Sequence, residues 1–197
     1  MLHEHFGGEE VPPERILDDR GHAAAARHSS LPVLIREGLI TPDQRRELLV
    51  FTAVRNAFDD LVSTYIKNRQ VYEGSLARPN QIMTDLRVDQ LRYCGTHRFD
   101  DWIEWRYTRP GILGRFKEQP IGRYEHTDGV DVILKFERLQ QDFDALLARI
   151  GHDATIELPR VNVTADRRDY REMYTPKTRR IVERAWAGEL ERFGYSF

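Results

Sequence analysis

The amino-acid sequence predicts an α/β fold, in which helices flank a mainly parallel sheet. Residues 48–54 have apolar side chains at nearly every position, and their lack of polar alternation indicates a strand covered on both faces. Residues 131–136 are a second predicted strand. Residues 59–68 and 139–150, which follow these segments, have apolar residues at helical spacing. Such alternation of strand and helix is typical of a parallel sheet.

The N-terminal part of the chain is predicted to hold short helical segments. Residues 1–6 have the pattern of a helix end, stopped by Gly7, and the prolines at the start of 12–17 favour a further helical turn there. Ser30 and Thr41 each carry a capping hydroxyl close before a proline. This pattern predicts the starts of two short helices.

The second half of the chain is predicted to continue with helices. Residues 80–93 and 99–107 have helical spacing, and one last helix is predicted from Thr175 until Gly194 ends it. The sequence has no internal repeat or long linker, so residues 1–197 are predicted to form a single domain.

Composition excludes several classes of partner and site. A formal net charge of −2 gives no support to binding of nucleic acid or an anionic membrane. The chain has one cysteine, Cys94, which excludes an intramolecular disulfide and is predicted to be a partly buried helix residue. No segment is apolar and long enough to span a bilayer, and the N-terminus lacks a signal peptide. A cytoplasmic protein is expected if Met1 is near the true start, and the preference for arginine over lysine is consistent with a GC-rich bacterial genome.

The most informative segment is the junction between the first predicted strand and its helix. Arg55 stands where the strand ends, and Ser63 lies about two turns into the helix. Ligands of open α/β sheets bind beyond the carboxyl ends of the strands, where a guanidinium and a hydroxyl can hold a phosphate. Two alternatives stay open: Arg55 pairs with Asp59 or Asp60, and Ser63 only packs.

The string V-R-N-x-F-D-x-L-V-S-x-Y around this junction resembles the 3′-phosphate-binding motif of family 2, or carbohydrate-type, sulfotransferases. Ala57 and Asp60 depart from that motif, where proline and arginine are usual. Further matching segments extend the resemblance from about residue 22 to the end: 132–139, 162–164, 174–176 and 193–197. The resemblance implies a three-layer sandwich of the P-loop nucleoside triphosphate hydrolase type, with the N-terminal strand missing.

The resemblance implies a sulfotransferase that uses 3′-phosphoadenosine 5′-phosphosulfate (PAPS) and transfers its sulfuryl group to a hydroxyl of a small-molecule or carbohydrate acceptor. The loop that holds the 5′-phosphosulfate in this family is not found in the sequence, so we expect a truncated reading frame or, as the alternative, a non-catalytic remnant. A P-loop kinase is a third reading, which the lack of G-x-x-x-x-G-K-[ST] disfavours.

The resemblance also implies roles for individual residues. The predicted cofactor contacts are Arg55, Ser63, Asn162 and Arg167, and no metal is required. His22 is the predicted catalytic base, and a loop or capping role for it is the alternative. Trp102, Trp105 and Tyr107 could form a sugar-stacking surface, although aromatic residues at helical spacing are more often part of a core.

Overall fold

The computed structural model describes residues 5–9, 11, 16–17, 23–24, 29–77, 85–108, 123–152, 155–159 and 169–197. Its contacts divide the chain into two compact units. The first unit is Met1–Val54 with Tyr124–Pro159, and the second is Arg55–Arg123 with Arg160–Phe197. The single domain predicted from the sequence stays a prediction.

The first unit holds all four described strands and three of the helices. Its elements, in chain order, are β1 (Ile16–Leu17), β2 (Ala23–Ala24), α1 (Leu31–Arg36), α2 (Pro42–Glu47), β3 (Phe51–Val54), β4 (Val132–Lys135) and α6 (Leu139–Arg149). The strand β1 pairs with β2 in antiparallel fashion. The prediction of helix over 12–17 is therefore wrong at Ile16–Leu17.

The predicted starts of the two short helices are confirmed. Ser30 is the N-cap of α1 and Thr41 that of α2. At Thr41 the hydroxyl accepts a hydrogen bond from the Gln44 amide, while the Gln44 side chain accepts one from the Thr41 amide. This reciprocal capping box satisfies two amides that a helix start leaves unpaired. The end of a helix at Phe6 is also confirmed, because Gly7 follows it with a φ of 64°.

Strands β3 and β4 form the parallel pair that the sequence predicts. Phe51 lies opposite Val132, and Val54 lies opposite Lys135. Strand β3 begins three residues later than expected. Leu48 and Leu49, which precede it, are exposed. Among the described residues this sheet has two strands, and most of its side chains are half-buried, so the coverage of both faces stays a prediction.

One face of this pair packs against α6. Alternate residues of a strand lie on the same face of a sheet. In β3 and β4 one such set packs against the apolar side of α6 and against the segment that follows α6. The cluster consists of Leu134, Phe143, Leu146, Leu147 and Ile156, with Phe51, Ala53, Val132, Leu139 and Leu158 against it. Asp142 fixes the start of α6 on the strand, since its carboxylate accepts a hydrogen bond from the Lys135 amide at 2.8 Å.

The second unit contains helices and no strand in its described part. Its elements are α3 (Ala57–Ala77), α4 (Asp85–Thr96), α5 (Phe99–Thr108), a 3-10 turn (Tyr170–Met173), α7 (Pro176–Ala185) and α8 (Ala187–Phe193). The sequence predicts one helix in place of α7 and α8, which is wrong, because Trp186 leaves the helical conformation with φ −110° and ψ 12°. At this break the Trp186 indole donates a hydrogen bond to the Tyr107 hydroxyl at 2.8 Å.

The core of the second unit is rich in aromatic side chains. Trp102 and Ile103 of α5 are fully buried, and Cys94 is buried beside Asn68. The predicted helical position of Cys94 is confirmed, although it is more deeply buried than expected. None of the helices within the described ranges combines the length and the apolar character needed to cross a membrane.

Candidate anion-binding site at the start of helix α3

Arg55 lies between the last residue of β3 and the first residue of α3. Val54 before it and Ala57 after it are buried, at 2% and 1% exposure. Ala57 is the first residue of α3, a position where proline is also favourable in helices. The strand-to-helix junction that the sequence predicts is therefore present.

The Arg55 side chain forms an ion pair with Asp59. Its Nε donates to Asp59 Oδ2 at 2.8 Å, and the two side chains are 17% and 8% exposed. The alternative that Arg55 pairs with Asp59 is therefore confirmed. Because the guanidinium is planar and carries five N–H groups, a bond through Nε fixes the plane in which the two terminal nitrogens lie.

Ser63 lies one turn beyond Asp59 on the same side of α3, since residues four apart on a helix are neighbours. Its side chain is half-buried. Arg55, Asp59 and Ser63 therefore follow one line along the helix, with the guanidinium at its N-terminal end. Asp60, which departs from the family motif, is half-buried and not fully exposed to solvent.

Asn56 frames the start of α3, a role that the sequence analysis missed. Its Oδ1 accepts a hydrogen bond from the Phe58 amide at 3.1 Å, and its Nδ2 donates to the Ser196 carbonyl at 2.8 Å. The first bond is that of an N-cap, and an asparagine three residues before the predicted helix 59–68 was the signal for it. The second bond joins residues 140 positions apart, which no local pattern reveals.

An aromatic cluster from the C-terminal region supports the first turn of α3. Phe58 is fully buried, and the rings of Tyr174 and Phe197 lie edge-on to it at 5.4 and 4.9 Å. The Tyr174 hydroxyl donates to the Phe58 carbonyl at 3.0 Å. Burial raises the pKa of Tyr174, so this hydroxyl stays protonated. These contacts position the helix start from which Arg55 and Asp59 project.

The other predicted site residues are distributed differently. His22, Asn162 and Arg167 lie outside the described residues, and nothing is known of their placement. Trp102 and Tyr107 belong to the core and offer no surface to a sugar, at 0% and 2% exposure. Trp105 is half-buried and stacks on Tyr93.

His126 is a titratable residue that the sequence analysis did not single out. It lies in a 3-10 turn (Glu125–Thr127) of the first unit, and its Nε2 is 3.1 Å from the Ala53 carbonyl of β3. A carbonyl only accepts hydrogen bonds, so Nε2 carries the proton and Nδ1 of the neutral ring carries the lone pair. His126 is exposed.

Comparison with protein families identifies the family to which the chain belongs. The model of the sulfotransferase family matches residues 17–196, which is nearly the whole chain. The chain belongs to the sulfotransferase family. This match includes the Arg55–Ser63 segment and confirms the resemblance found in the sequence. No curated protein and no solved structure matches the chain.

Membership of the sulfotransferase family indicates transfer of a sulfuryl group. The α/β architecture, mostly helical with one parallel pair of strands, is compatible with a sulfotransferase fold. Of the two predicted phosphate-contacting residues described here, Arg55 is paired with the buried Asp59 carboxylate at 2.8 Å, and Ser63 lies one turn beyond Asp59 on the helix.

Proposed function

We propose that the chain transfers a sulfuryl group from PAPS to a hydroxyl group of its acceptor, with carbohydrates as the acceptor class. Family membership supports the transfer reaction. The observation that carries the choice of cofactor is the Arg55 guanidinium, which Asp59 fixes at the N-terminus of α3. We further propose that β3 and β4 belong to the sheet of a three-layer, P-loop-like sandwich within a single domain.

The residues at the start of α3 fit a 3′-phosphate group. The Arg55 guanidinium, whose Nε donates to Asp59, is the proposed contact to the phosphate, because it carries five N–H groups and a positive charge. Ser63 would add a hydroxyl donor one turn beyond Asp59. The amide dipoles at the start of a helix favour an anion at the same end. Together these groups offset the negative charge that Asp59 places near the phosphate.

The remaining roles follow from the resemblance and concern residues outside the described ranges. Asn162 and Arg167 would add contacts to the cofactor. His22 would accept the proton of the acceptor hydroxyl as the acceptor oxygen bonds to sulfur and the bond from sulfur to the 5′-phosphate oxygen breaks. When bound, PAPS supplies the sulfuryl group, and the protein groups hold the reactants in line.

The cofactor assignment is tested by calorimetry with two nucleotides, adenosine 3′,5′-bisphosphate and adenosine 5′-monophosphate, which differ by the 3′-phosphate. The wild-type chain is expected to prefer the bisphosphate. Arg55→Ala should weaken bisphosphate binding about tenfold to a hundredfold, since a charge-assisted hydrogen bond contributes roughly 1.5–3 kcal/mol. Binding of the monophosphate should not change. Equal loss for both nucleotides would contradict a contact with the 3′-phosphate.

A second variant separates binding from folding. Arg55→Ala leaves the buried Asp59 carboxylate without this ion pair, which is itself destabilising. The double variant Arg55→Ala/Asp59→Asn also removes the charge of Asp59. If Arg55 contacts the phosphate, the double variant still binds the bisphosphate weakly, whereas restored binding would show that Arg55 only stabilises the helix start. Arg36→Ala, which removes an exposed arginine paired with Glu37, is the control for the loss of one positive charge.

A further inference from the structure

The Phe197 ring packs directly onto the first turn of helix α3. Its centroid lies 4.9 Å from the Phe58 ring and 5.5 Å from the Tyr174 ring, with interplanar angles of 79° and 87°. Such edge-to-face pairs are favourable because the positive edge of one ring meets the negative face of the other. Phe58 is fully buried and is the second residue of α3. The position of Phe197 is therefore coupled to the start of the helix beside which Arg55 lies.

Two arginine side chains hold the Phe197 ring from the surface of the unit. The central carbon of the Arg179 guanidinium lies 4.4 Å from the ring centroid, and that of Arg171 lies 5.9 Å from it. Both distances are within the range of cation–π attraction. Arg179 Nε also donates to Glu183 Oε1 at 2.7 Å, which fixes the plane of the guanidinium over the ring. Arg179 of α7 therefore holds Phe197 in a defined place.

The start of α7, which carries Arg179, is itself anchored. Thr175 and Thr178 form a capping box, in which each side chain accepts a hydrogen bond from the amide of the other residue. Thr178 is fully buried, and its hydroxyl donates to Asp100 Oδ1 of α5 at 2.8 Å. Because Arg179 directly follows Thr178, its backbone is tied to α5 as well as to α7.

The residue before Phe197 is bonded to the junction that carries Arg55. The Ser196 carbonyl accepts a hydrogen bond from Asn56 Nδ2 at 2.8 Å, and Asn56 Oδ1 accepts one from the Phe58 amide at 3.1 Å. Asn56 directly follows Arg55 in the chain. Loss of the Phe197 ring would leave the Ser196 carbonyl less well placed and would weaken this cap. The backbone at Arg55 could then adopt further orientations.

We propose that Phe197, held by Arg179, is a positioning residue that orients Arg55 for the 3′-phosphate of the nucleotide. This role rests on the proposed function. Phe197 does not touch the nucleotide; it keeps the Arg55 junction in one conformation before the ligand binds, which lowers the entropy cost of binding. A residue of this kind changes only the part of the affinity that depends on Arg55. General stabilisation of the unit would instead change the binding of both nucleotides alike.

The test is calorimetric titration of the full chain with adenosine 3′,5′-bisphosphate and adenosine 5′-monophosphate, with circular dichroism to confirm that each variant is folded. Phe197→Ala should weaken bisphosphate binding about threefold to tenfold, from the loss of favourable aromatic pairs. Arg179→Ala should weaken it about twofold to fivefold, and Arg179→Lys, which keeps a cation near the ring, should lose less. Monophosphate binding should not change in any of them.

Arg184→Ala is the matched control for the loss of one positive charge from α7. Arg184 is exposed, and its Nε donates to the Arg180 carbonyl within the same helix. This variant should bind both nucleotides as the wild type does. If it loses as much bisphosphate affinity as Arg179→Ala, the affinity depends on net charge and not on the contact with the Phe197 ring, and the proposal is overturned.

A double-mutant cycle shows whether Phe197 acts through Arg55. In the Arg55→Ala background, Phe197→Ala should cause no further loss of bisphosphate affinity. An equal loss in both backgrounds overturns the proposal, as does an equal loss for both nucleotides or wild-type binding of both. If Phe197→Ala loses its cooperative melt, Arg179→Ala decides through the same cycle, because its side chain is 47% exposed and its removal leaves no cavity.

The role of Phe197 and the proposed function fail in different ways. If the wild-type chain binds the two nucleotides equally, the cofactor assignment is wrong, and the role of Phe197 is overturned with it. If the wild type prefers the bisphosphate and Arg55→Ala removes that preference, the proposed function stands. A preference that then survives unchanged in Phe197→Ala and Arg179→Ala overturns only the positioning role.

Discussion

The two compact units of the chain are stabilised in different ways. In the second unit the described core is rich in aromatic rings, and hydrogen bonds join distant segments inside it, such as Trp186 to Tyr107 at 2.8 Å. In the first unit the core is a small cluster between β3, β4 and α6. All of the large apolar side chains that are exposed within the described residues belong to the first unit: Phe6, Ile35, Leu48, Leu49, Phe136 and Ile150.

This difference shows where the rigidity of the candidate site comes from. The sequence directs attention to the strand before Arg55, because strand ends carry ligand sites in α/β folds. Yet the described contacts that hold the start of α3 come from the C-terminal region of its own unit, through Ser196, Tyr174 and Phe197. The site is therefore expected to respond to changes in that helical unit.

The largest expected effect comes from the core of the second unit. Trp102→Ala removes a fully buried indole and should reduce the free energy of unfolding by about 3–5 kcal/mol, from lost burial and the cavity left behind. The contrasting change in the first unit is Phe136→Ala, which removes a ring that is 45% exposed. It should change stability by less than about 0.5 kcal/mol. Urea unfolding measures the free energy of unfolding of both variants. Similar losses would contradict the proposed difference between the units.

A smaller effect is expected at the junction itself. Asn56→Ala removes the N-cap of α3 and the bond to the Ser196 carbonyl, and should cost about 1–2 kcal/mol. Asn56→Asp keeps the acceptor for the Phe58 amide but loses the Nδ2 donor. It should fall between the wild type and Asn56→Ala in thermal unfolding. If Asn56→Asp is as stable as the wild type, the link to Ser196 contributes nothing, and the cap alone fixes the helix start.

The sequence predicts local features of this fold better than distant ones. The Thr41 cap, the end of the helix at Gly7 and the α3 junction depend on neighbouring residues, and the sequence predicts all three. The short β1 and the break at Trp186 were missed. A two-residue strand has too little sequence to show alternation, and helical spacing of apolar residues continues unbroken across Trp186.

The candidate site shows the same limit. The family motif predicts the positions of Arg55 and Ser63, and the pairing of Arg55 with Asp59 was one of the alternatives left open. Nothing local indicates the bond from Asn56 to Ser196 or the contact of Arg179 with the Phe197 ring, since each depends on how separate segments pack. A run of apolar residues such as β3 also does not state how many faces of the strand are covered, and most of its side chains are half-buried.

The smallest expected effect concerns acid sensitivity, and it compares one aspartate from each unit. The hydrogen bond from Arg45 at 2.7 Å, together with one from the Val50 amide, holds the pKa of Asp131 below its usual value. The Arg171 amide lowers the pKa of Asp169 in the second unit. A lowered pKa stabilises the folded state above the unfolded value of about 4, and this contribution is lost as pH falls through the folded pKa.

Asp131→Asn and Asp169→Asn should therefore each lower the thermal midpoint slightly above about pH 5, and the difference from the wild type should shrink as the pH approaches 2. The shift in the thermal midpoint should be larger for Asp131, because its carboxylate accepts hydrogen bonds from Arg45 of α2 and from the Val50 amide before β3. Within the described residues, Asp169 bonds only to nearby Arg171. Both shifts are small since the carboxylates are exposed to solvent. A difference that persists unchanged to pH 2 would mean that the carboxylate charge is not what stabilises either unit.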